Sequence, residues 1–405
     1  MTIFKTLGLA SSALALSAAI ASADSTVRFW YHFDNADNPM DELVASFEAA
    51  NPGITVEAEN IPWNSYYDNL YTAVIGGNAP DAAMVKMFAQ PRLIGMGALE
   101  PIGERIDAWE GKSDLQDNLL ELTKAEDGQS YYLPVQYVVL YLYYRPDMFA
   151  DLGLEVPKTC EDFRNVAKQL TRDTDGDGQT DIYGFGFRGG KGGHDHWGSF
   201  TLGGDGVNLV GGMENDNAIA GTQFVMDLFQ EDKVFPPSAP NDGFQETIGG
   251  FKAGKTAMTI HHIGSANGMV EALGDNVDAA PVPSCGGGQW TAYGDESTAV
   301  LSSAEDKDAA WKWISFLSES GNNAKFNEAT GQLPVTKSDS DGWTLHPKRF
   351  VDATVNSLPF AHLLPNTPET SDFVNTVWPV AMQRALTGEI TAAEMNAEIA
   401  KLYGN

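Results

Sequence analysis

Apolar and polar positions alternate through Val27-Arg-Phe-Trp-Tyr-His-Phe33, the period of a half-buried strand. Met40, Leu43, Val44 and Phe47 then recur at the spacing of one helix face. Asn38 is placed to cap this helix with Pro39 at its first position, and Asn51-Pro52-Gly53 ends it before a second strand begins at Ile54-Thr-Val-Glu-Ala58. Strand, helix, strand at this length requires a parallel pair joined by a right-handed crossover. A further helix is expected from Tyr66 to Ile75, broken by Gly76-Gly-Asn-Ala-Pro80, after which Asp81 opens the short apolar run Ala82 to Val85. The first part of the chain is therefore α/β. Tyr131 to Tyr144 is apolar on both faces and reads as a central strand buried on both sides, with Pro134 near its start marking a crossing between lobes. Helical periodicity returns at Cys160 to Leu170, Ala218 to Gln230, Ala309 to Leu317, Asp372 to Leu386 and Thr391 to Leu402. No self-similar period runs through the chain, so a solenoid or propeller is not expected.

Length and charge narrow the picture. The chain has 405 residues, 43% of them apolar, which is enough for two lobes, each with its own core. Its 25 Lys and Arg against 55 Asp and Glu give a formal charge of −30, which repels a phosphate backbone or an anionic membrane surface. No nucleic-acid partner is expected. Met1 to Ala23 carries one cation, Lys5, then the apolar run Leu7 to Ile20 and the small-residue end Ala21-Ser-Ala23. That is the layout of a cleaved signal peptide, so the mature chain is expected in the periplasm. Cys160 and Cys285 allow either one disulfide closing a long loop or two unpaired thiols, and they lack the spacing of a zinc site.

Several segments together resemble one family. They are Phe47-Glu-Ala-Ala-Asn-Pro-Gly-Ile-Thr-Val56, Gly76-Gly-Asn-Ala-Pro-Asp81, Gly97-Ala-Leu-Glu-Pro101, Leu133-Pro-Val-Gln-Tyr137 and Tyr143-Tyr-Arg-Pro-Asp-Met-Phe149. Phe251-Lys-Ala-Gly-Lys-Thr-Ala-Met258, Ala310-Trp-Lys-Trp-Ile-Ser-Phe-Leu317 and Gly331-Gln-Leu-Pro334 continue the series. In this order they resemble the maltose-binding-protein-like extracellular solute-binding proteins of carbohydrate-uptake ABC transporters, family 1. The resemblance implies a type II periplasmic binding protein fold, two α/β lobes with a ligand cleft between them. It maps the first lobe to residues 24–133 and 292–335 and the second to 134–291 and 336–405. It further implies a monomer that closes on a small sugar and presents the closed form to an ABC transporter permease in the inner membrane.

Sugars offer hydroxyls around a ring and apolar C–H faces, so their sites combine planar aromatic rings with polar side chains. In α/β lobes such residues lie beyond the carboxyl ends of strands. That rule selects Tyr31, His32 and Asp34 after the first strand, Asn64 with Trp63 and Tyr67 after the second, and Phe88 and Gln90 with Met87 after Val85. The resemblance adds Gln136 and Tyr137 at a lobe crossing, and Trp197 after the glycine-rich stretch Gly186 to His196. It also adds His261 and Gly264 in the turn after Met258, and Trp290, Tyr293 and Asp295 at the returning strand. Gly264 stands where relatives carry a Trp, which implies a mono- or disaccharide-sized or differently oriented ligand. Arg349 lies where relatives reach the cleft and is the candidate for gripping an anionic polyol, such as glycerol phosphate or a sulfonated sugar.

Asp173, Asp175, Asp177, Gln179 and Asp181 match the opening of a calcium loop, with Gly178 at its sixth position. Gly184 stands at position twelve, so a regular EF-hand is excluded, and a structural calcium ion would need a distant carboxylate. No other cofactor is required. Catalytic patterns are lacking: the His pairs at 194/196 and 261/262 do not have the His-x-x-x-His spacing of zinc hydrolases. Gly249-Gly-Phe-Lys-Ala-Gly-Lys-Thr256 matches a phosphate loop literally but follows no strand. With 55 acids, a pair of glycosidase carboxylates is the one enzymatic alternative, a secreted hydrolase.

Overall fold

The computed structural model describes residues 25–33, 38–116, 119–120, 124–125 and 127–404. The leader, Met1 to Ala23, and Asp34 lie outside the described residues.

Strands β1 (Ser25–Tyr31), β2 (Ile54–Asn60) and β3 (Ala82–Val85) are parallel, with β1 between the other two. β1 buries Val27, Phe29 and Tyr31, the alternate positions of its period-two pattern. Helix α1 (Met40–Ala50) is the expected crossover from β1 to β2, and it begins one residue later than the sequence predicts. Asn38 Oδ1 accepts the Met40 N–H at 3.0 Å, so the asparagine braces the first turn from two residues upstream. Helix α2 (Trp63–Ile75) connects β2 to β3.

Two long strands, β4 (Tyr132–Tyr144) and β7 (Thr291–Val300), carry the sheet from one lobe into the other. β7 is antiparallel to β3 at its C-terminal end, and β4 is antiparallel to β7 along most of its length. The far end of β4 then pairs with β5 (Met258–His262) and β6 (Asp278–Ala280), while β8 (Ala361–His362) runs parallel to the start of β7. The main order is β2-β1-β3-β7-β4-β5. A register shift between Pro134 and Gln136 places a bulge where the two crossing strands leave the first lobe.

Separate cores flank this crossing. One gathers residues from Val27 to Val135 and from Ala299 to Val335, with Trp313 edge-on to both Phe29 (5.6 Å) and Phe47 (5.2 Å). Two others lie beyond the crossing, the larger built around Phe163, Phe185, Phe187, Phe200, Trp197 and Trp378. Helix α3 (Cys160–Leu170) packs into the larger one through Phe163, Val166, Ala167 and Leu170. Its start is fixed twice: Thr159 and Asp162 form a reciprocal capping box, and Cys160 is disulfide-bonded to Cys285. The two half-cystines therefore take the paired alternative. Among the described residues no helix is long and apolar enough to cross a membrane.

Candidate ligand-binding cleft

A cavity of about 230 Å³ opens where the crossing strands pass between the cores. On the first-lobe side its wall is His32 at the end of β1, Trp63 at the start of α2, and Lys86, Met87 and Phe88 directly after β3. These are the carboxyl ends of parallel strands, where side chains project free of the ladder. The crossing strands add Gln136 from β4 and Tyr293 and Glu296 from β7. The far wall holds Arg188, Gly192 and the His194–His196 turn that opens helix α4 (His194–Thr201), with His261, His262, Gly264 and Ser265 at the end of β5.

Aromatic rings brace the first wall. His32 lies 5.0 Å from Trp63 and 4.7 Å from Tyr66, and Phe88 sits 4.8 Å from Tyr67. Lys86 Nζ lies 4.7 Å from the Trp63 ring centroid and 2.5 Å from Glu296 Oε1. His32 Nε2 lies 3.3 Å from Glu296 Oε2. Burial by itself would raise the Glu296 carboxyl, but the adjacent Lys86 charge and His32 outweigh it and hold the group down at about 2.

The histidines opposite are neutral. Burial, followed by the charge of Arg188, pushes His196 down to about 3; burial, followed by the charge of Lys86, does the same for His262. Burial likewise lowers His194, and it takes His261 well below the usual imidazole range. Hydrogen bonds fix how several of them sit. His196 Nδ1 accepts the Arg188 backbone N–H at 3.2 Å, His262 Nδ1 accepts the Gly264 N–H at 3.1 Å, and Ser265 Oγ lies 2.8 Å from His261 Nδ1. Gln332 Nε2 reaches His262 Nδ1 at 2.9 Å from the other side of the cleft, and Thr330 donates to Gln136 Oε1 at 3.2 Å. A neutral imidazole both donates and accepts, as a hydroxyl does.

The structure brings His32, Phe88, Gln136, His261, Gly264 and Tyr293 together around the cavity. Other expected contacts sit elsewhere. Tyr31 is buried in the first core, its hydroxyl accepting from Asn38 Nδ2 at 2.6 Å. Asn64 is exposed, and its carbonyl takes the Lys191 ammonium at 3.1 Å. Gln90 is fully buried at the start of a short helix and does not line the cavity, and Tyr137 packs between two cores. Trp197 is fully buried with its indole N–H donating to Thr222 Oγ1 at 3.0 Å, and Trp290 lies over Gly198 with His362 stacked parallel at 6.4 Å. The Asp295 backbone pairs with Tyr137 in the β4–β7 ladder, and its side chain lies outside the described residues. Arg349 stays outside: its guanidinium lies 4.7 Å from the Phe350 ring centroid and its Nε donates to the Val277 carbonyl at 3.2 Å.

Lys86 and Glu296 are lining residues that reasoning from sequence did not select, while Arg188 lies in the glycine-rich stretch Gly186 to His196 that it expected as a cleft wall. Lys86 directly follows the run Ala82 to Val85, and Glu296 directly precedes the buried run Ser297 to Val300 of β7. Both carry the signal of a charge set against buried strand positions.

Asp173, Asp175 and Asp177 bring one carboxylate oxygen each within 4.8 Å of the others. Those carboxylates accept amides of their own exposed loop, Asp173 from Gly176 at 2.6 Å and Gly178 at 2.7 Å, Asp177 from Gln179 at 2.7 Å. Asp181 accepts instead from the Thr174 amide at 2.7 Å. A side chain at Gly184 would run into the Ala167 carbonyl, so a ligand at the twelfth position is sterically barred. Gly249 to Lys252 is the last turn of helix α5 (Phe244–Lys252), followed by a turn and then β5, the reverse of the strand–loop–helix order a phosphate loop needs.

Comparison with known proteins agrees with this architecture. The family model for bacterial extracellular solute-binding protein matches residues 34–324. A binding protein of Brucella abortus (strain 2308) is 25% identical over 397 residues, 95% of this chain and 91% of that protein. An ABC transporter solute-binding protein from Thermotoga lettingae TMO, solved with α-D-tagatose, superposes with a TM-score of 0.83 at 23% identity, covering 94% of this chain and all of that one. Maltose-bound MalE3 of T. maritima gives a TM-score of 0.80 at 19% identity, with 93% and 98% covered. A two-lobed α/β fold with a polar, aromatic-lined cleft at the strand crossing, matched over most of its length, places the chain in the bacterial extracellular solute-binding protein family.

Proposed function

We propose that this protein captures a small sugar in the cleft by closing its lobes and hands it, chemically unchanged, to an ABC transporter permease. The observation that carries the reading is the cavity at the crossing strands, which joins Trp63, Phe88 and Tyr293 to neutral imidazoles and amides from both sides. That mixture suits a ring with hydroxyls at its edge and C–H groups on its faces. The solved relatives add support, since the proteins from Thermotoga lettingae and T. maritima hold tagatose and maltose. Export to the periplasm, with the leader removed, and action as a monomer belong to the same reading.

The hydrolase alternative finds little support. Glycoside hydrolysis needs a carboxylic acid kept protonated near neutral pH, whereas the more buried of the two described carboxyls of the cavity, Glu296, is held ionised by Lys86. The anionic-polyol alternative rested on Arg349, which packs on Phe350 away from the cavity. Incubation with neutral mono- and oligosaccharides, followed by thermal unfolding and chromatography of the sugar, tests the proposal. It predicts a raised unfolding temperature with unaltered sugar. New products, or no shift with any sugar, would overturn it.

A further inference from the structure

Glu296 is buried more deeply than a container for sugar requires. It is 4% exposed, lies opposite Gln136 beside the β4 bulge, and lines the cavity. Taking a carboxylate and an ammonium out of water costs several kcal/mol per ion, and such pairs are often no more stable than apolar residues of the same volume. Lys86 holds Oε1, while Oε2 has only His32 Nε2 beside it at 3.3 Å, in poor hydrogen-bond alignment, so its acceptor capacity is largely unspent. Two further buried acceptors on cavity-lining residues also lack a donor. Gln332 uses its amide N–H groups toward His262 and leaves Oε1 unmet; His194 turns Nε2 toward Asp195 at 3.2 Å and leaves Nδ1 unmet.

What a buried acceptor lacks is a donor hydrogen, which ligand hydroxyls supply and a carboxylate, phosphate or sulfonate does not. Among the described residues, the charged side chains lining the cavity are Lys86 and Arg188 against Asp195 and Glu296, two of each sign, and the four histidines opposite are neutral. The described charges of the wall thus match in sign and number.

Building on the sugar reading, we infer that Glu296 is the carboxylate that anchors the ligand by accepting its hydroxyls, and that the ligand is an uncharged polyol ring. Lys86 and His32 are positioning residues: they keep the carboxylate ionised and aimed. Titratable or charged groups facing Glu296 are Lys86, His32, His262, Tyr66 and Tyr67, and both tyrosines are held neutral by burial.

The test is calorimetric titration of the full chain with neutral pentoses, hexoses, alditols and disaccharides, and with uronic acids, sugar phosphates and amino sugars. A neutral compound is expected to bind tightest, and Glu296→Gln is expected to weaken it by about 10- to 100-fold, the range for a hydrogen bond to a charged group. Lys86→Met is the second variant. Its affinity is expected to fall on acidification at a pH where the wild type retains affinity, a displacement that simple loss of packing does not produce. Tightest binding by an acid, phosphate or amino sugar, or a Glu296→Gln affinity within about threefold of wild type, overturns the inference and leaves the sugar reading standing. Binding by no member of the panel overturns both.

Discussion

Gly331 adopts φ +70°, and a Cβ there would lie 2.8 Å from the Gly264 carbonyl oxygen. A Cβ on Gly264 would in turn sit 2.5 Å from Gln332 Nε2. These two backbones touch across the cleft because neither residue has a side chain, and Gln332 and His262 fill the space left over. Gly331→Ala is expected to destabilise the protein by about 1–3 kcal/mol, read as a lower urea midpoint. An unchanged midpoint would show that the backbone relaxes there without cost. At this scale the sequence was only partly legible. Strand ends pointed to His32 and Phe88 because geometry forces side chains there to project. Trp197 and Trp290 show the limit, since a tryptophan beside glycine reads alike whether it stacks on a ligand or, as over Gly198, on the protein's own backbone. The Lys86–Glu296 pair joins residues 210 positions apart, which no local pattern reports.

Elements were read more easily, because hydrophobic period survives whatever the tertiary context. The helix expected from Cys160 to Leu170 and the strand from Ala82 to Val85 form with those limits. Departures have local causes. β1 ends at Tyr31, and just beyond it the Phe33 amide bonds to the Asn60 side chain at 2.9 Å instead of to a strand. The helix expected from Asp372 to Leu386 is interrupted by a wide turn over Phe373–Val377 before it resumes at Trp378. Pro379, at the restart, has no N–H to give the preceding turn. The Cys160–Cys285 bridge ties the start of α3 to the loop before β7 across 125 residues. Replacing both cysteines by serine is expected to cost about 4–5 kcal/mol on the chain-entropy account, measured by chemical denaturation. A loss below about 1 kcal/mol would mean the unfolded chain is already constrained there.

For the whole molecule, the buried histidines set an acid limit. His196 and His262 are held at about 3 and His346 at about 4 when folded, against about 6.5 when unfolded. Between those values the unfolded chain binds more protons, so stability is full above about pH 6.5 and falls as pH drops toward 3. Each histidine removes about 1.4 kcal/mol per pH unit in that window. The Glu296 contribution is lost lower, between about 4.5 and about 2. Urea midpoints from pH 8 to pH 5 check this, and a flat profile contradicts it. The lobes also touch directly: Tyr71 Oη and Ser371 Oγ lie 2.6 Å apart, both residues buried. Tyr71→Phe is expected to weaken ligand binding by about 2- to 10-fold without altering the cavity, because it removes a hydrogen bond that ties the two lobes together outside the cavity. Equal affinity would separate that contact from closure. The central claim is capture without chemistry, and equilibrium dialysis against a mixture of neutral mono- and disaccharides measures it directly, with mass spectrometry of what the protein retains. The account predicts one equivalent of an intact neutral sugar, released on denaturation. Retention of nothing, or the appearance of cleavage products in the dialysate, would contradict it.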